Sequence, residues 1–457
     1  MGILIKNGVI VTALDEMRGD VRCDNGKIVA IGTDLEAAPS DEIVDAGDQF
    51  VFPGGVDPHV HLALPFMGTV SADDYESGGI AAIAGGTTSF IDFVIPARNE
   101  NPFEALAAWQ EKSKVAVTDY TYHMAVTSWG DDSEAWMERC VEKEGITSIK
   151  VFMAYRGAIG IDDTELIHAM RTAARLGAIV TVHAEHGEMI VDLQNHYFDD
   201  GHVEPMYHAL SRPSPVEGEA TARALMIAEL TGATAYIVHM TCMESVNALA
   251  DARQSGQLAY GETCPQYLLL DDSVYERPDF EGAAYVMSPP IRPEGHQEVL
   301  WSALASGILQ TVGTDHCPFS QHQKRMGLTD FRKIPNGAAG IQDRLSLLYH
   351  FGVREGRLGL HQFVDLTSTR AAKIFGLYPR KGAIQVGSDA DLVVWDPNAT
   401  RTISAKEHLH RNDRSIFEGF RVMGAPSTVI VNGKVAFQNG DVRVERGSGR
   451  FLARSAT

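Results

Sequence analysis

The chain has 457 residues, of which 44% are apolar and 22% are charged, as expected for a soluble globular protein. Its 39 basic and 60 acidic residues give a net charge of −21, which argues against nucleic acids and anionic membrane surfaces as partners. The length suits a large barrel with an accessory domain, and no apolar run is long enough to span a membrane.

The N-terminus and the cysteines indicate the compartment. Residues 1–6 lack the basic segment and the long apolar run of a signal peptide. The five cysteines are an odd number and include no Cys-x-x-Cys pair, so the sequence predicts neither a disulfide framework nor a zinc knuckle. We therefore expect a protein of the reducing cytoplasm.

Residues 2–50 have the pattern of short β-strands joined by turns. Asn7-Gly8 and Asn25-Gly26 each lie between runs of β-branched residues, where Asn-Gly is a strong hairpin signal. Residues 45–51 form a predicted strand that leads into the turn Pro53-Gly54-Gly55.

From about residue 51 to about residue 375, short apolar segments alternate with helical ones such as residues 101–117 and 217–231. Segments that are apolar throughout are typical of strands buried on both faces of a parallel sheet. Eight repeats of strand and helix are the number found in a (β/α)₈ barrel. The eight predicted strands are residues 45–51, 87–94, 120–126, 148–153, 178–183, 235–239, 258–263 and 309–315.

Strand signals return beyond residue 380, at residues 390–395 and at residues 427–431 before Asn432-Gly433. We therefore predict an α/β fold with two domains. Residues 51–379 form a (β/α)₈ TIM barrel, and residues 1–50 and 380–457 together form one small β-sandwich domain.

Four histidines, one lysine and one aspartate lie in or at the ends of predicted strands one, four, five, six and eight, where barrel active sites are built. The first two histidines are two positions apart, so on an extended backbone their side chains point to the same side and can bind one cation. Singly, each residue has a structural explanation, such as a hydrogen-bonded core histidine or a lysine whose stem is buried. Jointly they favour a metal site, formed by His59, His61, Lys150, His183, His239 and Asp315.

This pattern resembles the amidohydrolase superfamily in its two-metal form, where a carboxylated lysine bridges the metals. Within it, the chain is similar to the dihydropyrimidinase and D-hydantoinase family over nearly its full length. The resemblance is carried by the motifs Phe52-Pro53-Gly54-Gly55-Val56-Asp57-Pro58-His59-Val60-His61, Lys150-Val151-Phe152-Met153-Ala154-Tyr155, Glu262-Thr263-Cys264-Pro265-Gln266-Tyr267, Ser288-Pro289-Pro290-Ile291-Arg292, Gly313-Thr314-Asp315-His316-Cys317-Pro318-Phe319 and Ile334-Pro335-Asn336-Gly337.

The resemblance implies two divalent metal ions and a carbamate, derived from carbon dioxide, on Lys150. Histidine and carboxylate donors suit zinc, although manganese and cobalt fit the same ligands. The first metal would be bound by His59, His61, Lys150 and Asp315, and the second by Lys150, His183 and His239.

The resemblance also implies catalytic and substrate-binding roles. Asp315 would carry a proton to the leaving nitrogen, and Tyr155 would donate to the oxyanion of the intermediate. Tyr155, Ser288 and Asn336 would bind the substrate, and family members use main-chain groups at the last two positions. Loops that shape the pocket in the family correspond here to Leu64, Ile95, Phe152 and Ile159.

The implied activity is hydrolysis of the ring amide of dihydropyrimidines and 5-substituted hydantoins to N-carbamoyl amino acids, with preference for the D-enantiomer, as in pyrimidine degradation. The sequence does not decide between dihydrouracil and a hydantoin as the natural substrate. A sister enzyme is the alternative: allantoinase, or dihydroorotase, whose anionic substrate calls for an arginine near the pocket. A metal-free scaffold like the collapsin-response-mediator relatives would lack most of the ligands present here. The family also implies a homotetramer.

Overall fold

Eight parallel strands form a nearly closed barrel in the computed structural model, which describes residues 2–456. Each strand pairs with the next along the chain. The first and last meet where the Asp315 N–H donates to the His59 carbonyl and the His61 N–H donates to the His316 carbonyl, both over 2.9 Å. The barrel strands are Gly55–Val60, Thr87–Val94, Asp119–Ala125, Ser148–Phe152, Ile179–His183, Thr234–Ile237, Ala259–Thr263 and Thr311–Val312.

Helices connect the barrel strands and pack against one another, as Asp163–Leu176 does against Ser214–Thr231. A capping box between Asp162 and Glu165 begins the first of these two helices, and Gly177 ends it with a φ of 64°. The α-helices are Ser77–Ala84, Pro102–Ser113, Ser133–Glu142, Asp163–Leu176, Gly187–Asp199, Met206–Leu210, Ser214–Thr231, Met243–Gln254, Pro265–Leu269, His296–Ser306, Gln321–Lys324, Arg344–Leu348, Leu360–Val364 and Arg370–Ile374. Shorter 3₁₀ turns are Asp272–Glu276, Glu281–Tyr285, Arg325–Gly327 and Phe331–Lys333, and π turns are Tyr349–Arg354 and Asp365–Thr369.

Both ends of the chain contribute to one nine-stranded, mostly antiparallel sheet. The two ends meet where Phe50–Pro53 pairs with Leu392–Thr402. Side chains from both ends, including Ile5, Leu392 and Ile430, form a hydrophobic core on this sheet. The strands are Ile3–Val11, Glu16–Asp24, Lys27–Gly32, Glu42–Asp45, Phe50–Pro53, Leu392–Thr402, Arg421–Val431, Lys434–Gln438 and Asp441–Val442.

The first barrel strand lies later in the chain than predicted. Phe50–Pro53 belongs to the terminal sheet, and the barrel begins only after Gly54, with Gly55–Val60. A Cβ on Gly54 would lie 2.1 Å from Oγ1 of Thr88, so only glycine fits at the position where the chain passes from the terminal sheet into the barrel. The assignment of residues 45–51 to the barrel was therefore wrong.

Asn7-Gly8 is a bulge and not the predicted hairpin turn. Ile3–Val11 is one continuous strand whose register with Glu16–Asp24 shifts between Ile5 and Gly8. Asn7 has a φ of 59°, and its N–H donates to the Asp20 carboxylate over 2.9 Å instead of to a backbone carbonyl of the neighbouring strand. The Asn25-Gly26 prediction was correct, since the chain turns there between two paired strands.

A buried ionic cluster joins the terminal sheet to the amino-terminal end of the barrel. The Lys381 ammonium lies 2.7 Å from Asp119, the first residue of the third barrel strand, and 3.1 Å from Asp389. It also pairs with Asp391. This end of a TIM barrel is the one that serves stability.

The predicted fold class, a (β/α)₈ barrel with a β domain built from both chain ends, is confirmed. The division of the chain into domains at residues 50 and 380 stays a prediction. None of the helices that the structure describes combines the length and the apolar character needed to cross a membrane.

Candidate metal centre

The carboxyl ends of the barrel strands surround a cavity. Side chains from six different strands or the residues just after them reach its wall, because parallel strands present their carboxyl ends to the same face. The structure brings all six predicted ligands together there: His59, His61, Lys150, His183, His239 and Asp315.

His59, His61 and Asp315 form one group of donor atoms. The Nε2 atoms of His59 and His61 lie 3.3 and 3.2 Å from Oδ1 of Asp315. The Nδ1–H of His59 donates to Oε1 of Glu262 over 2.7 Å, which leaves Nε2 with a free lone pair. Burial lowers the pKa of His59 well below its usual value, so the ring is neutral, as a metal ligand must be.

His183 and His239 form a second group, in which Nδ1 of His183 lies 3.0 Å from Nε2 of His239. Nε2 of His183 donates to Oε2 of Glu185 over 2.7 Å, and Arg212 donates to the same oxygen over 2.6 Å. Burial opposes ionisation of Glu185, but Arg212 and His183 lower its pKa. Glu185 is therefore a carboxylate and holds His183 with Nδ1 toward His239.

Lys150 lies in the fourth barrel strand and is 1% exposed. Its Nζ is 4.8 Å from the ring centroids of both Phe93 and Phe152. Burial lowers the pKa of Lys150 to about 7, although Asp315 and Glu262 favour the charged form. A large fraction of this amine is therefore neutral at physiological pH, unlike an exposed lysine.

Three residues of the cavity have left-handed backbone conformations that side chains other than glycine rarely adopt. The φ angles are 61° at Tyr155, 40° at His239 and 52° at Asp315. Each of the three follows a barrel strand and lines the cavity. Such strain is concentrated at functional sites, where the surrounding structure enforces it.

The donor atoms fit divalent metal ions. Among the residues described, Nε2 of His59, which faces Asp315, is a buried nitrogen without a hydrogen-bond partner. Buried polar atoms are rarely left unpaired, so this nitrogen indicates a missing ligand. Imidazole and carboxylate donors suit zinc, manganese or cobalt.

The predicted substrate-binding residues contact one another at the cavity. Nδ2 of Asn336 donates to Oγ of Ser288 over 2.9 Å and lies 3.5 Å from the Tyr155 hydroxyl. Burial raises the pKa of Tyr155, so its hydroxyl is protonated and available as a donor near neutral pH.

Apolar side chains form much of the remaining wall. They include the four predicted specificity residues and also Phe66, which the sequence analysis did not single out. Phe66 lies on the hairpin formed by Pro65–Phe66 and Thr69–Val70, with its ring edge-on to Tyr155 at 5.7 Å between centroids. The part of the lining that the structure describes contains no arginine. The specificity residues at the wall are Leu64, Ile95, Phe152 and Ile159.

Known proteins resemble the chain over its whole length. The model of the amidohydrolase family matches residues 50–436. The chain is 48% identical to the D-hydantoinase of Geobacillus stearothermophilus, covering 99% of this chain and 96% of that protein. It is 44% identical to the dihydropyrimidinase of Arabidopsis thaliana, covering 98% of this chain and 85% of that protein. The crystal structure of dihydropyrimidinase from Brevibacillus agri aligns with a TM-score of 0.98 at 47% identity, over 100% of this chain and 99% of that one.

The chain belongs to the amidohydrolase family. This confirms the resemblance inferred from the six motifs, and with it the prediction of a hydrolase. The family implies a divalent metal centre, and the histidine and aspartate groups of this amidohydrolase can bind one. The individual ligand and substrate roles stay predictions.

The sequence analysis gave no role to several carboxylates that orient the predicted ligands of this amidohydrolase. Glu262 and Asp57 lie in two of the six motifs that carry the family resemblance, and Glu185 is two positions beyond His183. Asp57 accepts from the Thr314 hydroxyl over 2.6 Å and from the His59 N–H over 3.1 Å. For Asp57 and Glu185 the available signal was a carboxylate two positions from a strand-end histidine, because metal-binding histidines are usually oriented by a carboxylate. Glu262 lies 203 positions from His59 and gave no such signal.

Proposed function

We propose that this amidohydrolase is a metal-dependent cyclic amidase, which hydrolyses the ring amide of dihydropyrimidines and 5-substituted hydantoins to N-carbamoyl amino acids. The observation that carries the proposal is the convergence of four histidines, Lys150 and Asp315 on one cavity whose other walls are largely apolar. The relatives named D-hydantoinase and dihydropyrimidinase support the same substrates and a role in pyrimidine degradation.

The two donor groups would hold two divalent ions, for which zinc is the proposed metal. His59, His61 and Asp315 would bind the first ion and His183 and His239 the second, with Lys150 shared by both. When bound, the ions supply Lewis acidity toward the ring carbonyl and lower the pKa of water.

Asp315 is the proposed proton carrier. Burial opposes its ionisation, but His59, His61 and Lys150 lower its pKa, so it is a carboxylate near neutral pH. Its oxygen can therefore accept a proton from the attacking water and return that proton to the ring nitrogen as the amide bond breaks. The nitrogen then leaves as part of a neutral ureido group.

Tyr155 is the proposed donor to the oxyanion that forms at the ring carbonyl. Its raised pKa keeps the proton on the hydroxyl until negative charge develops on the substrate. The contact between Tyr155 and Asn336 supports a common substrate wall, on which main-chain groups of Ser288 and Asn336 would hold the ring.

Lys150 is the proposed site of a carbamate. Its neutral amine nitrogen would form a bond to the carbon of carbon dioxide and release one proton to solvent. The product is an anion with two oxygens on a long stem, which can reach both donor groups from within the strand. Its negative charge would offset part of the charge of two dications.

The cavity lining supports a neutral ring with an apolar substituent. Leu64, Ile95 and Phe66 offer apolar contacts, and no arginine among the described lining residues would pair with an anionic substrate. Dihydroorotase activity is therefore disfavoured, and allantoinase remains the second candidate. The D-hydantoinase relatives support preference for the D-enantiomer.

A hydrolysis panel on metal-analysed protein tests the proposal. The substrates are dihydrouracil, the D- and L-enantiomers of 5-substituted hydantoins, and allantoin. We expect turnover of dihydrouracil and D-hydantoins and loss of turnover after the metal is removed by a chelator. Turnover of allantoin alone would contradict the proposal and favour the sister enzyme.

We also propose a homotetramer, which is supported by family resemblance and is tested by light scattering, where a monomer would contradict it. A cytoplasmic location is supported by the five cysteines, all of which are buried free thiols.

A further inference from the structure

Lys324 is a buried lysine behind the wall of the cavity. It ends the short helix Gln321–Lys324 and is 1% exposed. Its Nζ donates to three main-chain carbonyls, those of Val286 at 2.8 Å, Pro335 at 2.7 Å and Gly337 at 2.8 Å. No carboxylate among the described residues pairs with it, so the main-chain carbonyls and the face of the Phe319 ring, 5.8 Å away, compensate the charge.

The three carbonyls favour the protonated form of Lys324. Burial lowers the pKa of Lys324 to about 7. A neutral amine has only two N–H donors, however, whereas three carbonyl oxygens lie at hydrogen-bond distance and can only accept. The ammonium form satisfies all three contacts. Burying a cation without a carboxylate partner costs folding free energy, so its presence at this position calls for an explanation beyond packing.

The three carbonyls belong to the two segments that carry the proposed substrate contacts. Val286 precedes Ser288 by two residues, and Pro335 and Gly337 flank Asn336. The Gly337 N–H also donates to the Val286 carbonyl over 2.9 Å, which ties the two segments together. A Cβ on Gly337 would lie 2.3 Å from the Cys317 carbonyl oxygen, so the segment that contains Gly337 packs directly against the backbone at Cys317.

The orientation of one peptide links Lys324 to the substrate. The Pro335–Asn336 peptide is trans, and in a trans peptide the C=O and N–H groups point in opposite directions. Because the Pro335 carbonyl faces Lys324, the Asn336 N–H faces away from it. Asn336 and Gly337 line the cavity, whereas Lys324 lies behind them. A cation on the carbonyl also strengthens the N–H of the same peptide as a donor.

We propose that Lys324 is a positioning residue for substrate binding: its ammonium fixes and polarises the Pro335–Asn336 peptide so that the Asn336 N–H is held as a strong donor to the ring of the cyclic amide. This role rests on the proposed function, because it assigns the donor to a ring carbonyl of that substrate class.

The turn that carries Lys324 is itself anchored. Ser320 and Gln323 form a capping box that begins the helix. The Gln323 amide donates to the Thr69 hydroxyl over 2.8 Å and to the Val70 carbonyl over 2.7 Å. The same turn therefore holds the hairpin that carries Phe66 on one side and the Asn336 segment on the other.

The test compares variants of the metal-loaded full chain. Lys324→Met removes the ammonium at similar volume, Lys324→Gln keeps an amide donor, and Lys324→Arg keeps the charge. Lys333→Met is the matched control, because the Lys333 side chain is 71% exposed on a neighbouring turn. Metal content, thermal unfolding, kcat and KM are measured for each protein with dihydrouracil and with hydantoin.

We expect Lys324→Met to raise KM by about tenfold or more with kcat within about threefold of wild type, because a contact made equally in ground and transition states acts on KM. Metal content stays unchanged, Lys324→Arg restores part of the affinity, and Lys333→Met behaves as wild type. A merely structural lysine would instead reduce the active fraction, which lowers kcat at constant KM.

The outcomes separate this inference from the proposed function. An active wild type whose Lys324→Met and Lys324→Gln variants keep the wild-type KM would overturn the role of Lys324 alone. Failure of all three variants to fold, while Lys333→Met folds, would assign Lys324 to folding and overturn its positioning role. A metal-loaded wild type that hydrolyses neither substrate would overturn both proposals.

Discussion

Glu262 accepts the Nδ1–H of His59 over 2.7 Å and thereby determines which nitrogen of that ring faces Asp315. The other oxygen of Glu262 accepts from the Tyr236 hydroxyl over 2.7 Å, so the carboxylate is held at both ends. Burial raises the pKa of Glu262 to about 7, and the imidazole contact gives this buried group a partner. Glu262 is therefore predicted to control metal binding without being a ligand.

Glu262→Gln should weaken metal binding by about 10- to 100-fold, the usual loss when the carboxylate behind a metal-binding histidine is removed. The amide of glutamine can donate to Nδ1 of His59, and this would place the ring proton on Nε2, where a metal should bind. Metal content after titration with a chelator measures the effect. Wild-type metal affinity in this variant would show that Glu262 does not set the tautomer.

Tyr155→Phe should lower kcat by about 10²-fold or more while metal content is unchanged, because it removes one donor to the oxyanion. The hydroxyl contacts Asn336 at 3.5 Å, so Asn336→Ala serves as a comparison that keeps the phenol. Steady-state kinetics with dihydrouracil distinguish the roles. An unchanged kcat with a higher KM would make Tyr155 a binding or packing residue.

Lys150→Ala should lose at least one metal ion and nearly all activity, because no other side chain replaces a bridging anion. A small carboxylic acid such as acetate, added in excess, should restore part of the activity by taking the place of the carbamate. Metal analysis and activity assays with and without acetate measure both effects. Electron density that ends at Nζ of Lys150 in an active, metal-loaded crystal would contradict the proposal.

The sequence predicted the barrel well where strands are buried on both faces. Thr87–Val94 was predicted to the residue, and all eight of its positions are buried, although Thr87, Thr88, Ser89 and Asp92 are polar. The first barrel strand was misassigned because residues 50–53 and 55–60 are both largely buried. Only the strands with which they pair show that residues 50–53 belong to the terminal sheet and residues 55–60 to the barrel. The eighth strand was predicted as residues 309–315 but comprises only Thr311–Val312. Asp315, three residues beyond it, has a positive φ that no sequence pattern indicates.

The predicted ligands could be found because they are chemically distinctive residues at strand ends. Asp57 and Glu185, each two positions from a predicted ligand, could have been found in this way, but the other supports could not, because hydrogen-bond partners leave no fixed spacing in a sequence. Glu185 and Arg212 are 27 positions apart, and Lys324 binds only main-chain carbonyls, which any residue could supply. The family resemblance identified the reaction, whereas the arrangement that holds the site in place required the structure.

Lys381→Met should destabilise the protein by about 3–5 kcal/mol, because Lys381 is the only cation that pairs with buried Asp391 among the described residues. Asp119 and Asp389 would lose one partner and keep Arg450. Burial opposes ionisation of Asp389, but pairing with Lys381 lowers its pKa below the unfolded value of about 4. That pairing therefore stabilises the wild type above about pH 4 and is lost as the pH falls below it. In Lys381→Met the carboxylates can become neutral by protonation, so the difference in unfolding free energy between wild type and variant should shrink from pH 7 to pH 4.

Urea unfolding of both proteins at several pH values measures this difference. Lys406→Met, a substitution at an exposed lysine that makes no ion pair with the carboxylates of the cluster, is the control and should leave the free energy of unfolding unchanged at every pH. A difference between Lys381→Met and wild type that stays constant from pH 7 to pH 4 would mean that the variant loses packing and not ion pairing. A difference that shrinks with falling pH would show that the ion pairs of Lys381 help to join the terminal sheet to the base of the barrel.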